Sequence, residues 1–360
     1  MPYDSGPTLL KSADVRAARV LKSPQRLARR AGLHYVSDHG PGITRLKRGD
    51  RFLYRKSGKP ASREDLERVK SLVIPPAWTD VWICADPNGH LQATGRDDRG
   101  RKQYLYHSRW QETVNLAKFD RLYDIGNLLP LIRKQVVKDL KLRGLVKQRV
   151  VALVVRLLDL TGIRIGNSEY LRDNESYGLT TLQDEQVKIR GSHVEFDFKG
   201  KSGVEHHLAF DNQELATLLK NCRALDGSFL FQFSENGIQR AITSADVNAY
   251  LAEKSNGLLT AKDFRTWRAS TFMAARLSTV ERPQSERAAK RQLLTLFRET
   301  AQLMGNTVSV CRKYYVHSGL TDAYLSGEFQ SLTRTFKASR QRVFLPEEQL
   351  LLHVLEQFRS

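Results

Sequence analysis

Val146-Lys147-Gln148-Arg149-Val150-Val151-Ala152-Leu153-Val154-Val155-Arg156-Leu157-Leu158-Asp159-Leu160 is nearly continuous in apolar character and runs into Thr161-Gly162. A stretch of this length, with a glycine placed to cap it, predicts a helix buried in a core. Working outward toward the C-terminus, a β excursion follows. Val187-Lys188-Ile189-Arg190, a Gly191-Ser192 turn, Val194-Glu195-Phe196-Asp197-Phe198, and a Gly200–Gly203 turn lead into His207-Leu208-Ala209-Phe210. Alternation at Val194, Phe196 and Phe198 predicts one buried face. Helical patterns resume at 212–223, 244–254, 262–278, 285–304 and 346–358, so the region from about residue 116 onward reads as mainly helical.

Toward the N-terminus the pattern changes. Phe52-Leu53-Tyr54, Val81–Cys84, His90–Thr94 and Gln103–Tyr106 read as short strands between turn clusters such as Asp86-Pro87-Asn88-Gly89. One helix interrupts them, with Ser62 as its N-cap and Pro75-Pro76 beyond its end. The expected architecture is therefore α+β: a basic, flexible arm over 1–30, a β-rich domain over 31–115 and a mainly helical domain over 116–360.

Lys and Arg total 58 against 39 Asp and Glu, a net charge of +19. Such a surplus favours a polyanionic partner, because neutralised phosphates release their condensed counterions. The three cysteines, Cys84, Cys222 and Cys311, are far apart and form no C-x-x-C pair, so neither a disulfide framework nor a zinc site is indicated. A reducing, intracellular compartment fits this usage. The longest apolar run, Val150–Val155, has six residues, too few for a membrane span. Residues 1–30 carry seven Lys/Arg and two Asp without an apolar stretch, which reads as an arm touching nucleic acid rather than as a secretory signal.

The chemistry-bearing residues are scattered. Asn306-Thr307-Val308-Ser309-Val310-Cys311-Arg312-Lys313-Tyr314-Tyr315 sets a tyrosine in a basic segment. A phenol beside a held phosphate can attack it, and Arg312 and Lys313 are expected to favour both the phenolate and the phosphate. Adjacent residues cannot both face one centre. Thus one of Tyr314 and Tyr315 is the nucleophile and the other packs or touches DNA. Arg164 stands in a Gly-Asn turn, where the backbone approaches a phosphate closely or the arginine serves structure. Arg265 and Arg268 lie three apart, on one helix face, and one of them could pair with Asp263. Gly200-Lys201-Ser202 fails as a P-loop: the leading glycine would fall at Glu195, and strand patterns flank both sides. A lysine there is a solvated hairpin tip or a mobile cation able to protonate a leaving oxygen. After the basic stretch Arg101-Lys102, period two puts Tyr104 and Tyr106 of Gln103-Tyr104-Leu105-Tyr106 on one face and Gln103 on the other. The pattern fits a major-groove reader, with the amide for adenine and the aromatics for a thymine methyl, or else an aromatic core strand.

Taken together and in order, these segments resemble the small type IB DNA topoisomerases of the poxvirus and bacterial group, over about residues 35–320. The R-x-G-N turn carries Arg164, the F-x-G-K-x hairpin Lys201 and the K-D-F-R-T-W helix Arg265. G-N-T followed by C-R-K-x-Y carries Asn306 and Tyr315, and the Asn174-x-Ser176-Tyr177-Gly178-Leu179-Thr180-Thr181 run matches as well. Many members have His in place of Asn306. Tyr314 and Ser318 depart from the family's usual Ser or Ala and Pro.

The resemblance implies a catalytic set of Tyr315, Arg164, Lys201, Arg265 and Asn306, with Gln103, Tyr104, Tyr106, Arg101, Lys102, Arg312 and Lys313 on DNA. It implies a monomer whose two domains enclose double-stranded DNA, a 3′-phosphotyrosyl intermediate, strand rotation and religation, with neither metal nor other cofactor and no membrane association. Cytoplasmic, nucleoid-associated residence is expected. Tyrosine recombinases share this chemistry but carry H-x-x-R where this chain has Lys262-Asp263-Phe264-Arg265. A non-catalytic DNA-binding protein on the same scaffold is the other alternative.

Overall fold

The computed structural model describes residues 23–168, 171–172, 175–225, 227–334, 336–339 and 343–359. Most of the expected basic arm (residues 1–22), and Asn174 of the Asn174–Thr181 run, lie outside them. The last residues of that arm form helix α1 (Pro24–Arg30), which buries Ala28. Two compact units divide between Lys118 and Phe119, near the end of helix α3 (Ser108–Asp120).

The first unit is built on strands β1 (Gly42–Arg48), β2 (Arg51–Lys56), β3 (Lys59–Pro60), β4 (Thr79–Cys84), β5 (Leu91–Arg96) and β6 (Lys102–Tyr106). They form one antiparallel sheet in the order β3-β2-β1-β4-β5-β6. Helix α2 (Arg63–Ser71) covers one face, starting where the Ser62 side chain accepts the amide of Asp65. Val69 of this helix packs on Ile43, Val81, Ile83 and Ala93. Strand β1 is absent from the sequence reading for a physical reason. One of its inward positions is Arg45, whose guanidinium lies over the Phe52 ring and donates to the carbonyls of Pro75 and Trp78. A charge there breaks the apolar alternation on which strand detection depends.

In the second unit, helices α4 (Leu122–Leu140) and α5 (Lys147–Thr161) pack together at the centre. Strands β7 (Val187–Arg190), β8 (His193–Lys199) and β9 (Glu205–Asp211) form a three-stranded antiparallel sheet that buries Val194, Phe196 and Phe198, as the alternation predicts. Helix α6 (Gln213–Arg223) is followed by a hairpin of β10 (Gln232–Glu235) and β11 (Ile238–Ala241), which the sequence reading omitted. The helices α7 (Ser244–Lys254), α8 (Ala261–Ser278), α9 (Glu286–Met304), α10 (Val308–Tyr314), α11 (Ser318–Ser326), α12 (Glu328–Thr333) and α13 (Pro346–Gln357) complete it. The tie between α8 and α13 bears on the site: Trp267 Nε1 donates to Glu348 at 2.8 Å, and Arg133 bridges Glu348 and Asp159.

Candidate active site

Two helices end side by side where the chemistry gathers. Helix α5 stops at Gly162, with φ +67°, and α9 stops at Gly305, with φ +57°, left-handed turns that glycine makes without steric cost. Each end leaves carbonyls without intrahelical partners and carries the negative end of the helix dipole. The Arg265 guanidinium, from α8, donates to the carbonyl of Gly162 and, at 2.7 Å, to that of Met304. Those acceptors offset the burial of an arginine that is only 3 % exposed. They also leave its Nε buried with no acceptor.

Arg164 leaves the α5 cap on the expected glycine turn. Segment 178–181 braces that turn: Leu179 and Thr180 donate backbone N–H groups to the carbonyls of Arg164 and Ile165 at 2.9 and 2.7 Å. A Cβ on Gly178 would lie 2.5 Å from the Gly166 nitrogen, so only glycine permits the approach. The described part of the Ser176–Thr181 motif therefore serves to hold Arg164. Its guanidinium donates to the Gly305 carbonyl and to Oδ1 of Asn306. Asn306 Nδ2 is buried without a hydrogen-bond acceptor, beside the Cys311 thiol.

Tyr315 stands just past the end of α10, with its ring 5.1 Å from the Arg265 guanidinium carbon. Its side chain lies within hydrogen-bonding reach of both Arg164 and Arg265. Burial, and then the neighbouring Arg265, pushes Arg164 down to about 10, and burial lowers Arg265 as well. Two desolvated guanidinium groups gathered at one phenol, with a buried amide beside them, form a surrounding whose charge and donors suit an anion. Beside Tyr315 in the chain, Lys313 Nζ lies 5.4 Å from the ring centroid of Tyr314. Arg312 and Lys313 are exposed on α10, and Arg164 and Arg265 are cations that reach the phenol.

Lys201 is exposed at the tip of the β8–β9 turn, where Ser202 takes φ +64°. The root of this turn is tied to the site by a residue the sequence reading passed over. The buried His206 ring fills the space against both Gly200 and Gly305: a Cβ on either glycine would fall 2.7 or 2.2 Å from a ring atom. It stacks on Phe198 at 4.9 Å, and burial together with Arg164 and Arg265 pushes it down to about 4, so the imidazole is neutral. Two glycines flanking one histidine was the available signal, but their separation of 105 positions hides it. Arg268 donates to the Leu160 carbonyl at 2.7 Å, whereas Asp263 caps its own helix through Thr260 and pairs with neither arginine in this geometry.

In the N-terminal unit the residues of β6 divide between its two faces. Tyr104 and Tyr106 are exposed and stacked, with centroids 6.1 Å apart, and Lys102 lies over Tyr104 while pairing with Asp38. Gln103 lies on the opposite side, its amide donating to Asp97 at 2.8 Å, where Arg101 also binds. The split of Gln103 from the two tyrosines is the one that the two-residue period of the strand predicts.

Residues 107–340 match the family described as eukaryotic DNA topoisomerase I, catalytic core. The chain belongs to the type IB DNA topoisomerases. Residues 51–97 match the bacterial DNA topoisomerase IB N-terminal domain. DNA topoisomerase 1B of Acanthamoeba polyphaga mimivirus is 34% identical over 293 residues, covering 79% of this chain and 87% of the relative. DNA topoisomerase 1B of Vaccinia virus is 26% identical over 273 residues, 74% and 82% of the two chains. The mitochondrial DNA topoisomerase I of Pan troglodytes is 29% identical over 306 residues, with 76% of this chain but 48% of that one. This topoisomerase, an isomerase acting on DNA, combines a bacterial-type N-terminal unit with a core whose similar proteins include viral ones. Among its described residues no helix is long and apolar enough to cross a membrane.

Proposed function

We propose that this topoisomerase relaxes supercoiled duplex DNA through a covalent adduct on Tyr315. The phenol oxygen attacks a backbone phosphorus, losing its proton as the P–O bond forms. The bond from phosphorus to the 5′ oxygen breaks, and Lys201 delivers a proton to that leaving oxygen. A 3′-phosphotyrosyl bond and a 5′-hydroxyl result. The cut strand rotates about its partner, and the 5′-hydroxyl then reverses the step. One phosphodiester replaces another, so the free energy of the cut bond is retained without ATP. Negative charge gathering on the non-bridging oxygens is met by Arg164, Arg265 and the amide of Asn306, preorganised donors of the kind worth about 3 kcal/mol each. A monomer working on duplex DNA at the nucleoid is part of this reading.

The observation that supports it most is the convergence of Tyr315 with Arg164, Arg265 and Asn306, two of whose donors are buried and lack acceptors. Relaxation of a supercoiled plasmid without ATP and in EDTA, with peptide mapping of the adduct on labelled duplex, tests it. Tyr315→Phe should abolish both relaxation and adduct while DNA binding survives, and Tyr314→Phe should retain activity. Relaxation by Tyr315→Phe but not by Tyr314→Phe would move the nucleophile by one residue.

A further inference from the structure

Tyr315 lies where α10 has already ended, so its main chain has lost the regular ladder of a helix. Its amide still donates to the Cys311 carbonyl at 3.0 Å, and its own carbonyl is supported by a side chain from another helix. That side chain is Ser270, fully buried on α8 five residues after Arg265. The serine hydroxyl donates to the Tyr315 carbonyl at 3.1 Å and accepts the His317 amide at 3.0 Å. One side chain therefore grips the chain on both sides of Val316. The far side is anchored by the His317 ring, which packs between Phe119 and Phe358 and accepts the Gly319 amide. Helix α8 thus meets Tyr315 twice, at the ring through Arg265 and at the backbone through Ser270.

We propose that Ser270 is a positioning residue for the nucleophile: its hydroxyl fixes the main chain at 315–317 so that the phenol lies against Arg265 before DNA is cut. The inference rests on Tyr315 being the nucleophile. It makes a directional claim. In the non-covalent complex the phenol must be held in place, and loss of the clamp lets it leave. In the adduct the bond to phosphorus already holds it, so religation does not need the clamp.

The test uses the full chain and single-turnover cleavage of a labelled duplex at saturating enzyme, with religation of the isolated adduct measured separately. Ser270→Ala is expected to slow cleavage by about 10- to 100-fold, the loss of two hydrogen bonds to the main chain. Religation should stay within about threefold, so the cleavage equilibrium constant should fall by the factor lost in cleavage to within about threefold, with DNA affinity unchanged. Ser270→Cys, similar in volume but a weak hydrogen-bonding group, should give the same split, which removes dependence on how the alanine variant folds. Equal slowing in both directions would assign Ser270 to the transition state and overturn the inference. So would a lowered melting temperature with unchanged cleavage, which is a purely structural serine. An adduct mapped to Tyr314 would overturn the nucleophile assignment and this inference together, whereas an adduct on Tyr315 with normal cleavage by both variants overturns this one alone.

Discussion

Asn306 is the residue whose replacement best separates two uses of one side chain. Its Oδ1 accepts from Arg164, while its Nδ2 is buried without an acceptor. If the amide serves the phosphate, Asn306→Ala loses a donor to a non-bridging oxygen, about 3 kcal/mol or roughly 10²-fold in cleavage rate. It also loses an acceptor for a guanidinium, so the total should exceed that figure. Asn306→Asp keeps the acceptor and strengthens its hold on Arg164. It nevertheless puts a negative charge about 5 Å from the phosphate oxygens, worth about 3 kcal/mol of repulsion at an effective dielectric of about 20. Aspartate should therefore cleave about 10²-fold more slowly than alanine, and Asn306→His, which retains a donor, should be the most active of the three. Single-turnover cleavage of a labelled duplex at saturating enzyme reads all four proteins. An aspartate variant equal to or faster than alanine would mean that Asn306 works only by holding Arg164, and that its free amide does not face the phosphate.

Lys201→Ala should slow cleavage by about 10²-fold or more, and a 5′-bridging sulfur, which leaves without a proton, should restore most of the rate; absence of that rescue removes Lys201 as the acid. In the N-terminal unit, Tyr104→Ala with Tyr106→Ala should weaken DNA binding or relax site preference more than Gln103→Ala, because only the tyrosines face outward; the reverse ranking in a cleavage-site survey would contradict the strand's orientation. Stability should fall in mild acid. His206 is held neutral with its folded value near 4 against 6.5 in the unfolded chain, so between these pH values the unfolded state binds the extra proton and stability rises with pH. By pH 5 this group alone should cost about 2 kcal/mol, and His317, pushed down by burial in the same way, adds with the same sign. Urea melts at pH 7 and 5 measure it; a protein more stable at pH 5, or a pH dependence no smaller in His206→Gln, would refute the assignment.

Much of this protein was legible in its residue order. The long apolar helix with its glycine cap, the alternation of β8 and the Ser62 cap are local effects, each decided by a few neighbours and by the periods of helix and strand. The motif around Arg164 and the nine-residue spacing of Asn306 and Tyr315 were likewise readable, and so was the net positive charge that favours DNA. Where a pattern was interrupted, reading failed: a buried Arg45 hid β1, and the four-residue strands β10 and β11 carry no apolar alternation to betray them.

Tertiary structure alone decided what each of those residues faces. It paired Gln103 with Asp97, brought Arg164 and Arg265 to the phenol, and set His206 between two distant glycines. It also put Ser270 on the backbone of Tyr315. The reason is that propensity and periodicity act over a few positions along the chain. The partners of a buried hydrogen-bonding group are chosen by whichever helix ends, turns and side chains the packed core brings within 3 Å. Residue order supplied the chemical groups; packing determined which of them meet.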